Sequence, residues 1–271
     1  MEFAQVLTIA TKEARDRIRN RWVLVVALVF TVFALVIAYF GSAQQGAVGF
    51  RSIEVTIASL VSLVIYLMPL IALMLGFDTI VGERERGSLS LLLSMPVTRA
   101  EVLLGKYLGL AAALTASTLG GFGLVAVVLA SELDSTALLH YLVFIGSSVL
   151  LGMAFLSLAV LISAMTRDRS RASGVAIGLW LFFVLVFDLI ALGVLVVTGG
   201  GVGGDVVPYA LLLNPADVFR ILNIVSLDEV RTLYGLATVF PDALSSPALL
   251  TMVMLGWIVV PVVVAAWRFR R

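Results

Sequence analysis

A chain of 271 residues with 61% apolar and only 13% charged residues belongs in a membrane, since a soluble domain carries roughly 25% charged residues. The net charge of +1 leaves no basic surplus for a nucleic-acid partner. With no cysteine and a single histidine, His140, there are no disulfides, and a zinc, iron–sulfur or soft-metal cage is not expected.

Residues 1–21 read as an amphipathic helix. Phe3, Val6, Leu7, Ala10, Ala14 and Ile18 fall on one face, and Lys12, Glu13, Arg15, Asp16, Arg17 and Arg19 on the other. Directly before an apolar run, that pattern predicts a helix in the headgroup region. Six runs reach the ~20 residues that cross a ~30 Å hydrocarbon core: about 22–41, 56–77, 101–130, 138–165, 172–197 and 247–267. The third is long for one span, so part of it is expected to project from the membrane. Two GxxxG pairs, Gly105/Gly109 and Gly174/Gly178, would allow close helix approach.

With the N-terminus inside, fifteen basic residues fall on inner segments and three (Arg51, Arg220, Arg231) on outer ones. The positive-inside rule then places both termini in the cytoplasm.

The stretch 83–95 interrupts this apolar sequence on the inner side. Glu83, Arg84, Glu85 and Arg86 are four consecutive charges, Gly87 breaks the run, and Leu89 and Leu91–Leu93 follow as an apolar patch. Pro96 stops the patch, because proline ends a helix at or before the preceding residue. Thr98 and Glu101 form a capping box that starts the next helix. A short amphipathic helix between two spans is expected, placed to transmit a push from a soluble partner to both.

The one long outer segment, 198–246, opens with five glycines among residues 199–204. Asn214 followed by Pro215 is a helix start, with Asn as cap and Pro at the first helical position. Ser226/Glu229 form a second capping box, and Ser246-Pro247 open the last span. An outer cap of small helices is expected. Its apolar face (Val218, Phe219, Leu222), together with Asn214 and Asp217, is the expected contact for a partner outside.

No catalytic set stands out. There is no GxxxxGK[ST] phosphate loop, so this chain is not expected to be an ATPase or another enzyme. The eight methionines are spread through the spans without a dense Met-x-x-Met cluster, and read as core filling. Asp188 is the outlier, nine residues and so ~14 Å from the outer end of its span. No lysine or arginine lies at matching depth in any span. The carboxyl is therefore expected to be protonated, hydrogen-bonded (Tyr66 and Ser62 are candidates) or exposed to a water-filled transport path.

The order Glu83-Arg84-Glu85, Gly87-Ser88, Leu91–Leu93, Pro96 and Leu104-Gly105-Lys106 resembles the signature of ABC-2-type transporter permeases, with Ser88 where threonine is common. The segments Thr11–Trp22, Thr56–Glu83, Trp180–Leu189 and Leu211–Arg220 are similar to the membrane subunits of ABC transporters that serve maturation of nitrous oxide reductase. The resemblance implies an all-α integral membrane protein, one domain over 1–271, in a bacterial or archaeal plasma membrane. It implies that 83–95 is a coupling helix docking into a cytoplasmic ATPase through Glu83, Arg84, Glu85, Arg86, Gly87 and Leu89. A second copy of the chain, two ATPase subunits that bind ATP and Mg²⁺, and a periplasmic accessory protein would complete an assembly for copper-site formation. This chain would hold no cofactor. Two other readings stay open: an ion-coupled secondary transporter using Asp188, and a membrane scaffold that transports nothing.

Overall fold

The computed structural model describes residues 2–19, 21–40, 53–129, 135–198, 207–225 and 246–270. Among these, every element is helical, and six helical stretches are long and apolar enough to cross a membrane: Val23–Phe40, Thr56–Glu85, Arg99–Val128, Ser135–Met165, Arg169–Val197 and Pro247–Phe269. They agree with the six runs read from the sequence. The outer capping box at Ser226/Glu229 and the glycines of 199–204 lie outside the described residues.

The elements are α1 (Phe3–Arg19), α2 (Trp22–Phe40), α3 (Ile53–Gly76), two short turns α4 (Val81–Glu85) and α5 (Ser88–Leu92), α6 (Arg99–Leu129) and α7 (Ser135–Met165). After them come α8 (Arg169–Leu181), a π-helical turn (Phe182–Val186), α9 (Phe187–Val197), α10 (Pro215–Val225) and α11 (Pro247–Arg270). The long helices α6 and α7 form the centre. Helix α7 packs against α3 and α11, and α6 against α1 and α2. Where α2, α6 and α7 meet, Phe30 stacks on Phe122 and Phe122 meets Phe144 edge to face, with ring centroids 4.8 and 5.2 Å apart.

Two prolines sit inside spans, each removing a backbone donor. Pro261 leaves the carbonyl of Trp257 without its helical partner, and Ser157 Oγ on α7 donates to that oxygen at 2.9 Å. Near Pro69 in α3, the indole N–H of Trp180 donates to the Tyr66 carbonyl at 3.0 Å. The proline-containing turns of α3 and α11 are thus tied to neighbouring helices.

The capping box forms as the sequence requires. The Thr98 N–H donates to Glu101 Oε2 (2.7 Å) and the Glu101 N–H to Thr98 Oγ1 (3.3 Å). The other carboxylate oxygen, Glu101 Oε1, accepts from the Glu2 N–H at 2.6 Å, and Arg99 Nη1 donates to the Phe269 carbonyl at 3.2 Å. The start of α1, the start of α6 and the end of α11 therefore share one side of the molecule, the termini side.

Candidate functional site

Two polar constellations stand out, one on the termini side and one deep in the opposite half.

The first is built around Lys106. Helix α1 runs alongside the first turns of α6, and glycine makes this possible. A Cβ on Gly105 would stand 2.7 Å from the Ile9 Cβ, and one on Gly109 would stand 2.6 Å from the Ala10 carbonyl oxygen. The Gly105/Gly109 pair thus serves α1, whereas Gly174 and Gly178 have nothing within 4 Å of an added Cβ. Only Val6, Ala10 and Glu13 of α1 are buried, so the expected single apolar face is split: Phe3, Leu7 and Ile18 point away from the protein. This close approach brings Glu13 to Lys106 Nζ at 3.1 Å, and Glu83 of α4 reaches the same nitrogen at 2.7 Å. Arg17, one turn along α1, pairs with Glu13 at 3.2 Å. Two cations and two carboxylates close the cluster, so the buried lysine carries no unmatched charge.

Burial alone would raise the Glu13 carboxyl, but Lys106 and Arg17 beside it hold it below its ordinary value. A lowered folded value means that the stabilisation is complete above the ordinary 4.5 and is lost as pH falls through the folded value. Acidification is expected to release α1. Its amide protection, corrected for intrinsic exchange, should drop in that acid range, and Glu13→Gln should remove the acid step.

The stretch 83–95 is not one helix. Gly87 takes a left-handed conformation (φ 74°) and divides it into α4 and α5. Three of the charges on α4 are spent within the chain. Glu83 holds Lys106, Arg84 donates to the Thr166 carbonyl (2.6 Å), and Glu85 Oε1 accepts from the Arg169 N–H (2.7 Å). Asp78, just before α4, is clasped by Arg169 through Nε (2.6 Å) and Nη2 (2.9 Å), with Arg86 at 3.5 Å. Ser163 Oγ accepts from the N–H groups of Ile80 and Val81 at 2.9 and 3.0 Å. Leu89 is buried. Of the six residues expected to dock a partner, then, Glu83, Arg84 and Leu89 face inward and brace the segment, while Glu85, Arg86 and Gly87 are exposed. The outward apolar surface is Leu91, 72% exposed and part of the apolar patch read from the sequence, with Met95, 59% exposed, which that reading did not single out, beside Pro96.

The second constellation corrects the reading of the outer segment. Asn214 does cap α10: its Oδ1 accepts from the Ala216 N–H at 3.0 Å. The helix is not a surface cap, however. Val218, Phe219 and Leu222 are buried in the core, as are Asn214 and Asp217, because α10 packs among α3, α7, α11 and the π turn. None of the five offers a surface to an outside partner. The polar side of α10 is satisfied internally. Asn223 Nδ2 donates to Ser147 Oγ (3.0 Å), and Asn214 Nδ2 donates to Asp217 Oδ2 (2.7 Å) and to the Phe183 carbonyl (2.8 Å). Phe183 lies in the π turn, whose wider register frees backbone acceptors.

The insertion of α10 also overturns the expectation that Asp188 has no cation at its depth. Arg220 Nη2 donates to Asp188 Oδ2 at 3.0 Å, and Nη1 to Asp217 Oδ1 at 2.6 Å. Tyr66 and Ser62 are not its partners; the Ser62 hydroxyl donates to Ala58 O. Burial pushes the Asp217 carboxyl up, Arg220 pulls it back, and the neighbouring Asp188 pushes it up again. The side chains of Asp188 and Arg220 are 37% and 35% exposed, so the pair opens onto the uncovered face of α9.

Comparison with known proteins gives a consistent result. The family model for the ABC-2 family transporter protein matches residues 7–271. A probable ABC transporter permease protein NosY of Stutzerimonas stutzeri is 42% identical over 271 residues, covering 98% of both chains. Its Pseudomonas aeruginosa counterpart is 43% identical over 270 residues, again covering 98% of both.

Proposed function

The chain belongs to the ABC-2 transporter family as a permease subunit, and from that premise we propose that it couples ATP hydrolysis in separate cytoplasmic subunits to work across the membrane. The observation that carries the reading is the braced segment 78–98. Its base is tied to α6 through Lys106, to the end of α7 through Arg84 and to the start of α8 through Asp78 and Glu85. A push on its exposed tip is delivered to three spanning helices at once. In this reading ATP and Mg²⁺ belong to the partner ATPases, and this chain holds no cofactor of its own. In this reading the termini side is the cytoplasmic side of the plasma membrane, which the distribution of basic residues supports.

A second copy of the permease, two ATPase subunits and a periplasmic accessory protein complete the proposed assembly. The name of the relatives points to maturation of nitrous oxide reductase, so the work done is either export of a substrate or mechanical action on the periplasmic partner during copper-site assembly. Among the described residues, no group of three or more His, Cys, Asp or Glu could hold a metal ion, which favours cargo other than bare copper. The Asp188–Arg220 pair supports the ABC reading over an ion-coupled carrier, since its carboxylate already has a fixed cation.

Docking by the tip is tested with Leu91→Glu and Met95→Glu. Both side chains are exposed, so the variants should insert and fold. Apolar anchors of this kind cost about 2 kcal/mol or more when lost at an interface centre. Co-purification of the ATPase from cells expressing the native operon should fall at least tenfold. Undiminished co-purification with both variants would place the docking surface elsewhere.

A further inference from the structure

On the outward side of α1 lie two adjoining open cavities. One, of about 560 Å³, is lined by Leu7, Ala14, Ile18, Leu108 and Ala112, with Arg15 at its edge. The other, of about 500 Å³, shares Leu7, Thr11 and Arg15 and adds Lys12 and Asp16. An apolar trough thus continues into a polar one, and Arg15 lies at the junction. Lys12 pairs loosely with Asp16 at 3.6 Å. Arg15 has no ion-pair partner among the described residues, so the junction carries a surplus positive charge.

The level of this groove follows from helix register. Thr31 Oγ1 of α2 donates to the Gly121 carbonyl of α6 at 3.1 Å. Counting nine residues back along both helices brings the start of α2 at Trp22 level with Ala112. The apolar trough at Leu108 and Ala112 therefore sits at the edge of the hydrocarbon layer on the termini side, and the basic junction sits where headgroups begin.

We propose that this groove is a binding site for one anionic phospholipid, with an acyl chain along Ile18, Leu108 and Ala112 and the phosphate against Arg15 and Lys12. An apolar trough with a cation at its mouth matches a lipid and not a free phosphate, which would leave the trough empty. The surplus charge favours an anionic headgroup over a zwitterionic one, whose own cation would face Arg15. The site is separate from the coupling tip; it depends on the topology only for the leaflet it faces. It lies on the helix that contributes Glu13 to the Lys106 cluster, so an occupied groove holds α1 in place.

The test uses the full-length chain purified in detergent, titrated with phosphatidylglycerol or phosphatidylcholine of the same acyl chains and read by native mass spectrometry. One phosphatidylglycerol per chain should be retained with clear preference over phosphatidylcholine. A Lys12→Gln/Arg15→Gln double variant, altered only at exposed positions, should lose about tenfold in phosphatidylglycerol affinity and leave phosphatidylcholine unchanged. Ala14→Trp, which fills the trough, should weaken both lipids. Phosphatidylglycerol should also raise the thermal midpoint of the wild-type chain more than that of the double variant. Equal retention of the two lipids by the wild type, or unchanged phosphatidylglycerol binding in the double variant, overturns the proposal. So does a photo-crosslinker at Thr11 that captures a second copy of the chain in place of lipid.

Discussion

Replacing Lys106 by methionine is expected to destabilise the docking of α1 and α4 on α6 by about 3–5 kcal/mol, the cost of removing one partner from a buried ion pair. Methionine nearly preserves the volume, so the loss is electrostatic. Glu13 keeps Arg17, but Glu83 loses its cation in a pocket that water reaches poorly. The measurement is thermal unfolding of the purified chain, alongside amide exchange of α1. A version with the carboxylates neutralised separates this from packing: Lys106→Met with Glu13→Gln and Glu83→Gln removes the stranded Glu83 charge together with that of Glu13, and leaves the partly exposed Arg17 to solvent. That triple variant should recover most of the lost stability, because a buried ion cluster is rarely more stable than a neutral set of similar shape. In the native complex the triple variant should remain assembled yet couple poorly, since the electrostatic tie between tip and α1 has gone. A single variant as stable as wild type would show that the cluster is wet and weak.

What could be read from the sequence divides by distance along the chain. The capping box at Thr98/Glu101 and the Asn214-Pro215 start involve residues within four positions of each other, and local geometry decides them. The six spans follow from apolar length alone. The partners of Lys106 come from 23 and 93 residues away, and nothing in a helical pattern announces that Gly105 and Gly109 face α1. The docking reading of Glu83, Arg84 and Leu89 had the same weakness. A run of charges next to a membrane reads as solvated, whereas Lys106, Thr166 and Arg169 are there to receive it.

The outer helix failed for a different reason. An eleven-residue amphipathic segment containing an arginine has the pattern of a surface helix, with one face dry and one wet. In α10 both faces are buried, the polar one against Ser147, Phe183 and Asp188. Periodicity reports that two faces differ; it does not report what covers the polar one. The π turn was equally unreadable, because one extra residue in a wholly apolar run leaves no trace in composition.

Arg220 carries the second large prediction. Substituting leucine removes the one cation that, among the described residues, pairs with Asp217, which is almost fully buried, and with Asp188, which is half-buried. Two carboxylates are then left close together inside the bundle. The expected loss is again about 3–5 kcal/mol for the buried carboxylate, and less for Asp188, which keeps access to water. The variant should reach the membrane poorly or unfold at markedly lower temperature. Asp188→Asn behaves differently. The amide oxygen still accepts from Arg220 Nη2, Asp217 still pairs with the guanidinium, and the carboxylate beside Asp217 is gone. Its thermal midpoint should lie near that of wild type. With stability held, function becomes an informative readout. If the exposed charge at Asp188 serves the transport path, Asp188→Asn should assemble normally and lose nitrous oxide reductase maturation. If Asp188 only positions Arg220, maturation should continue. Asp188→Leu separates the last case, because it removes the acceptor as well as the charge. A purely positioning role then predicts loss with leucine and retention with asparagine, and normal maturation with both would leave Asp188 with neither role.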